Sequence, residues 1–275
     1  MLNTVKSLLA AEGIRLVAPL SLADCTVQKP YLLTRAGIST GTAILFAVPY
    51  YTTHCDHSAR NISAYAVSAD YHGFFASLFG RILPVLRTAF PKHRFAGFTD
   101  HSPIAEPEAA VRAGLGFFGC NHLFLTKEHS SYVFLGEIVT DAILPAPKGE
   151  ITVCPGCNAC QKACPVALDM PRCLSALTQK KGELTAAEAK ALRAHGIAWG
   201  CDRCQETCPV TLSAKRDGTL YSDIPYFNDT AIPHLTSEAV AAMSEEKFAA
   251  RAYSWRGRSV ILRNLYLLEG KEDAK

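Results

Sequence analysis

Apolar residues recur at helical spacing over residues 2–12, "LNTVKSLLAAE", and the next run, "IRLVAPL", reads as a short strand. The unbroken apolar stretch "TAILFAVPYY" (42–51) has the length of a buried strand and meets a proline near its end, where a site can open. A long helical pattern covers about Ala59–Phe90, with a break expected at Gly80 or Pro84. "RFAGFTD" (94–100) is strand-like, and "EPEAAVRAG" (106–114) is a helix with proline near its start and glycine at its end. "HLFLT" (122–126) and "SYVFLGEIVTD" (131–141) are β-forming runs separated by polar residues, which predicts a hairpin or two neighbouring strands. "AILPAPKGE" (142–150) has the Pro/Gly density of a linker. A cysteine-rich segment then runs to about residue 212, followed by two helical stretches, 236–252 and 255–270.

Composition adds little to this pattern. The chain has 275 residues, 49% hydrophobic and 19% charged, enough for one large domain or two smaller ones with a sizeable core. Its formal charge of +3 singles out no partner. The N-terminus lacks the apolar run of a signal peptide, and the stretch 36–55, free of Asp, Glu, Lys and Arg, is too interrupted to span a membrane. A cytoplasmic protein with no membrane partner is expected. In that compartment 11 cysteines argue for metal or redox chemistry rather than disulfides.

Cys154, Cys157, Cys160 and Cys164 with Pro165 form C-x2-C-x2-C-x3-C-P, the run of bacterial two-cluster ferredoxins. Three thiolates at this spacing wrap one [4Fe–4S] cubane, and the fourth points to the other cluster. "CDRCQETCP" adds Cys201, Cys204 and Cys208, and Cys173 in "PRCLS" is the natural eighth ligand. This logic pairs Cys154, Cys157, Cys160 and Cys208 on one cluster, and Cys164, Cys173, Cys201 and Cys204 on the other. Cys25, Cys55 and Cys120 stay unassigned. Zinc is the competing reading, but paired C-x2-C motifs at a tetrahedral site have no use for the third close cysteine and the following C-P. The expected architecture is an α/β (α+β) domain over 1–148, a ferredoxin-like module with two [4Fe–4S] clusters over 149–215, and a short helical tail over 216–275. The first of these must hold whatever receives the electrons. No G-x-G-x-x-G follows a strand and no P-loop is present, so nucleotide cofactors lack support.

The run "TDHSPIAEPEAAVRAGLGFFGCNHLFLT…SSYVFLGEIVTD", the cluster motif, "RCLSALTQKKG" and "GCDRCQETCP" together resemble the epoxyqueuosine reductases, over roughly residues 43–268. "SAYAVSADYH" and "SWRGRSVILRN" resemble further family signatures in the same order. The resemblance implies reduction of epoxyqueuosine to queuosine at the tRNA wobble position, with cobalamin and two [4Fe–4S] clusters as cofactors and an external low-potential electron donor. It makes the first domain a cobalamin-binding domain and Asp100 the catalytic acid, a carboxyl expected to be kept protonated by burial. It carries cobalamin contacts onto Ser63, Phe124, Leu135, Ile138, Ser175, Cys201 and Asp202, several of them through the backbone. Tyr65, Asp70, Tyr71 and His72 are candidates for lining the same pocket. No D-x-H-x-x-G occurs to offer cobalt a histidine, which fits the family.

Trp255, Arg256, Arg258 and Arg263, with Arg251 and Tyr253, are the candidates for gripping tRNA phosphates and stacking on bases. The plain alternative is a solvated basic helix face. In the family this segment begins a larger helical-repeat region that holds tRNA; here a short form lacking it is expected, which bears on tRNA affinity more than on redox chemistry. Cys120 stands where the family commonly has lysine. Two other readings stay open: a related cobalamin/Fe–S reductase of another substrate, and a non-catalytic Fe–S electron-transfer protein.

Overall fold

The computed structural model describes residues 1–146 and 152–271, so the expected linker and the "GKEDAK" tail lie partly outside the described residues. The chain divides into two compact units, Met1–Tyr50 with His72–Gly156, and Tyr51–Tyr71 with Cys157–Lys275. This differs from three successive segments bounded at 148/149 and 215/216. Residues 51–71 leave the N-terminal part because their backbone bonds to later residues: Ser63 N–H donates to Trp199 O at 2.7 Å and Ala198 N–H to Asn61 O at 2.7 Å.

The first unit is built on four strands, β1 (Leu16–Ser21), β2 (Thr42–Pro49), β3 (Phe95–Phe98) and β6 (Val133–Thr140), in the order β1-β2-β6-β3. Every neighbouring pair is antiparallel, with Ile44 opposite Ile138, and Ile138 opposite Gly97. The fold of this unit is therefore α+β, without parallel crossovers. β2 is buried along its whole length, as its unbroken apolar run requires, because both faces of the sheet are covered. Helix α3 (Tyr71–Ala89) lays Phe75 and Phe79 against Phe46 on one face, with ring centroids 6.0 and 6.4 Å apart. Gly136 makes room for this, since a Cβ there would run into Phe75. The other face packs Leu45 and Val139 with Leu33 of α2 (Pro30–Ala36) and Ala109, Ala110 and Ala113 at α4 (Glu106–Arg112). Helix α1 (Leu2–Ala11) completes the unit, with Glu12 at its end paired to Arg81 of α3.

Three expectations change. The helix expected from residue 59 begins at Tyr71 and runs through Pro84 without a break. Pro84 sits on the exposed side of α3, and the residue four before it, whose carbonyl the ring would crowd, is the exposed Gly80, beside which a Cβ would meet nothing within 4 Å. The runs 122–126 and 131–141 are not partners either. β5 (Phe124–Leu125) pairs with β4 (Phe117–Phe118) in a separate two-stranded sheet, while β6 has β2 on one side and β3 on the other. The stretch 236–252 forms two helices, because Ser244 caps a new one over Glu245–Ala249.

The second unit is helical. Short helices α5 (Ala159–Ala163), α6 (Leu174–Thr178), α7 (Ala186–His195), α8 (Arg203–Glu206) and α9 (Pro209–Arg216) carry or separate the cysteines. They are followed by α10 (Pro225–Asp229), α11 (Ser237–Ala241), α12 (Glu245–Ala249) and α13 (Arg258–Glu269). Fully buried Trp199 is its central side chain, donating to the Tyr65 hydroxyl at 2.6 Å and meeting Tyr253 edge-on. Buried Asn264 of α13 ties Thr178 O and Ala198 O together at 2.7 and 2.8 Å. Among the described residues no helix is long and apolar enough to cross a membrane.

Candidate functional site

The β3 strand ends in a turn, Thr99–Ile104, that is bonded at nearly every residue. Thr99 Oγ1 donates to Leu135 O at 2.7 Å, His101 is held between Lys29 Nζ (3.1 Å) and the Tyr31 hydroxyl (2.8 Å), and Pro103 O accepts the N–H groups of Gln28 and Lys29. Ser102 donates its hydroxyl to Glu137, and the backbone N–H of Asp100 faces Glu106, where it favours the anionic form of that carboxyl. Asp100 itself has φ +58°, a left-handed backbone unusual for a residue other than glycine. Such a conformation persists where the surroundings enforce it. The turn presents the Asp100 carboxylate outward, its side chain 67% exposed and 3.6 Å from Nε2 of His72. Burial, the means expected of keeping this acid protonated, is therefore not present here.

Of the apolar residues carried over as cofactor contacts, Phe124 and Leu135 are half-buried against the same core cluster. Ile138 is fully buried within the sheet, so its side chain is part of the core. Phe118, paired with Phe124, is 47% exposed and leaves an apolar edge uncovered. Cys120 lies against Cys154, with the two sulfurs 3.7 Å apart. The Gly156 backbone N–H, followed by groups of Cys120, holds the Cys154 thiol below its ordinary range. Cys25 and Cys55 are structural by surroundings: burial pushes them up to about 12 and about 11.

In the second unit the motif "GCD" and the segment 60–64 are joined by one carboxylate. Asp202 is buried and accepts from Arg60 Nη1 (2.7 Å), Ser63 Oγ (2.5 Å), Ala64 N–H (2.7 Å) and Gln205 Nε2 (3.0 Å). Two residues assigned separately to cofactor binding, Ser63 and Asp202, are thus each other's partners. Arg60, at the centre of this network, had no motif to reveal it. Gly200, with φ +77°, lets the two segments meet; a Cβ there would collide with that of Ser63. Gly200→Ala is expected to cost about 1–3 kcal/mol from the backbone alone, read as a lowered urea midpoint. Ser175 is half-buried on α6 and accepts from Gln179 Nε2 at 3.2 Å.

The Cys204 thiol lies within electrostatic reach of Cys164, Cys173 and Cys201, and Cys201 within reach of Cys173. Burial first, then Cys201, Cys164, Asp202 and Cys173, push Cys204 up to about 12. Burial, then Asp202 and Cys173, push Cys201 up to about 11. Without a bound metal these surroundings favour the neutral thiol, and a metal bound there would stabilise the thiolate form instead. Of the other assigned ligands, Cys154 belongs to the first unit and Cys157, Cys160 and Cys208 to the second. No cysteine is in a disulfide. Among the described residues no three His, Cys, Asp or Glu side chains are arranged to hold one metal ion. A cubane asks for something different, because its thiolates bind separate irons.

The C-terminal basic residues divide. Arg258 donates to Val240 O and Glu245, and Arg263 to Lys180 O, Gly182 O and Asn264, so both hold the unit together. Buried Arg251 does the same through Thr230 O and Val67 O. Trp255 is 58% exposed, with the Arg256 guanidinium stacked 3.7 Å above its ring.

An α+β unit that carries the Asp100 turn and a helical unit that carries seven of the eight motif cysteines define a cysteine-rich protein of two units. No protein-family profile matches the chain. An epoxyqueuosine reductase from Pseudomonas aeruginosa is 35% identical over 125 residues, 42% of this chain and 35% of that protein. The structure of epoxyqueuosine reductase from Streptococcus thermophilus superimposes with a TM-score of 0.77 at 22% identity, covering 96% of this chain and 79% of the other. A second, of an epoxyqueuosine reductase with an epoxyqueuosine-modified tRNA-Tyr stem loop, gives 0.73 at 22% identity over 97% and 80%. The chain is a relative of the epoxyqueuosine reductases and has their fold. The matched stretch spans only 35–40% of the length of the curated relatives from P. aeruginosa, Vibrio cholerae and Aliivibrio fischeri.

Proposed function

We propose that this chain is a cytoplasmic, cobalamin-dependent iron–sulfur reductase that converts epoxyqueuosine in tRNA to queuosine. The observation that carries the reading is the gathering of Cys164, Cys173, Cys201 and Cys204 in a chain related to the epoxyqueuosine reductases. In this reading those four cysteines hold one [4Fe–4S] cluster in a ferredoxin-like module, and Cys154, Cys157, Cys160 and Cys208 hold the other. The donor set fits: the thiols carry no disulfide, and four cysteine sulfurs are the ligands that a [4Fe–4S] cluster takes. The uncovered apolar edge at Phe118 and Phe124, with half-buried Leu135, fits contact with a corrin macrocycle. Ser63, Ser175, Ile138 and Asp202 would contribute through the backbone or by shaping the site, since the Asp202 oxygens already have partners and Ile138 is core.

Taking the epoxide oxygen off as water consumes two electrons, which the cofactors would supply when bound, drawing on an external low-potential donor, and two protons. The Asp100 carboxyl delivers a proton to the departing oxygen, which would otherwise leave as a costly alkoxide. Substrate bound over the turn would cover the carboxyl and so favour its protonated form, and His72 stands beside it. The stacked Trp255–Arg256 pair offers a ring face and a cation to a tRNA loop. Arg258 and Arg263 would keep that surface in shape.

The test is anaerobic incubation of the reconstituted protein with a strong reductant and an epoxyqueuosine-containing anticodon stem-loop. Queuosine is the expected product. A loaded protein that leaves the stem-loop unchanged would refute the reading.

A further inference from the structure

We propose that Glu106 and Glu137 share one proton and together position the Asp100 turn, with Glu137 carrying the proton and Glu106 accepting both it and the Asp100 N–H. Glu137 lies on β6 opposite Leu45 and Phe98, on the sheet face covered by α4, and is 0% exposed. Glu106 is the first residue of α4 and is buried over the same core. The two carboxyl groups lie within hydrogen-bonding reach of each other. The Ser102 hydroxyl serves one oxygen of Glu137 and itself accepts the N–H of Ile104 at 3.0 Å. Glu137 Oε2 and Glu106 Oε1 receive nothing from any N–H or hydroxyl group.

Two ionised carboxylates could not persist in this arrangement, because each would be an unpaired buried charge beside a like charge. One proton between them turns the repulsion into a hydrogen bond. Its location follows from the surroundings. Glu106 has the Asp100 N–H and the charge of Lys29 to favour an anion, whereas Glu137 has only Ser102. Burial, reinforced by the Glu106 charge, accordingly pushes Glu137 well above the ordinary carboxylate range. Glu106 is raised too, by burial first, with the Glu137 hydrogen bond acting the other way. The remaining charged or titratable groups facing the pair are Asp100 in the turn and Cys25, whose thiol senses Glu137.

The consequence for function is positional. The left-handed backbone at Asp100 needs outside support, and a charge-assisted bond from its N–H to a fixed carboxylate supplies it. That consequence rests on Asp100 as the proton donor; the shared proton does not. The sequence carries a hint, since Glu137 is the one charged residue within the apolar strand "VFLGEIVT".

Infrared difference spectroscopy on the full chain at neutral pH, comparing wild type with Glu137→Gln, tests it without turnover. Wild type should show the carbonyl stretch of a buried carboxylic acid, and Glu137→Gln should lose it. Folding stability gives a second readout. A carboxyl raised in the native state stabilises fully below its unfolded-state value, and that contribution is lost as pH rises through the native value. Wild type should lose stability over that window, and Glu137→Gln should flatten the slope. In the loaded protein Glu137→Gln should lower kcat less than Glu106→Gln does, because an amide N–H replaces the shared proton. Glu106→Gln should lower kcat about tenfold with KM unchanged, as the bond to Asp100 loses its charge. Absence of the acid band in wild type, or its persistence in Glu137→Gln, would overturn the proposal. Equal loss in both glutamine variants would reduce the pair to packing.

Discussion

Asp100→Asn is expected to abolish most turnover of the loaded protein, by about 10²–10⁴-fold, while leaving the cofactors and fold in place. An amide fills the same space and can accept the same hydrogen bonds but has no acidic proton to give. The loss should be local, because the Asp100 side chain is exposed and its ion-pair partner, His72 at 3.6 Å, is exposed as well. The backbone of the turn is held by Glu106, Thr99 and Ser102, none of which asparagine disturbs, and asparagine tolerates a left-handed backbone well. Single-turnover assays of stem-loop conversion, alongside cofactor content and a denaturation midpoint, separate the effects. Full turnover in this variant would remove Asp100 from the chemistry.

The largest effect on stability is expected from Asp202→Ala. This change removes the acceptor of four hydrogen bonds and leaves Arg60, 11% exposed, with Glu206 and Ile62 O as its remaining partners. Breaking a buried ion pair from one side costs about 3–5 kcal/mol. Because Glu206 remains, the lower end applies, and urea denaturation should show it. Asp202→Asn keeps the shape and the acceptor for Ser63 and Ala64, so it should recover a large part of the loss. If both variants unfold at the wild-type midpoint, the network does not hold segment 60–64 to the cysteine motif.

Legibility in the sequence followed the range of the interactions. The strands β1, β2, β3 and β6 and helices α1, α4 and α13 are visible as periodicity, because local burial dictates them. The pairing of the 122–126 run with Phe117–Phe118 was not visible, since register between short β-runs depends on which edges the larger sheet leaves free. Nor was the departure of residues 59–70 from a helix, which is imposed by hydrogen bonds to residues more than a hundred positions away. Among site residues, the cysteine spacing carries the proposed cluster chemistry, because ligands on a tight loop must be close in sequence. Glu106, Glu137 and Arg60 act through partners distant in the chain, so spacing could not assign them. Arg258 and Arg263 mislead in the opposite way: a basic stripe looks like a surface, yet backbone carbonyls take their donors.

Cofactor stoichiometry in one anaerobically reconstituted preparation goes straight to the centre of the account. Iron and acid-labile sulfide should match two cubanes per chain, with one cobalamin retained through gel filtration. A single zinc ion in place of the iron, or no retained corrinoid beside intact clusters, would contradict it.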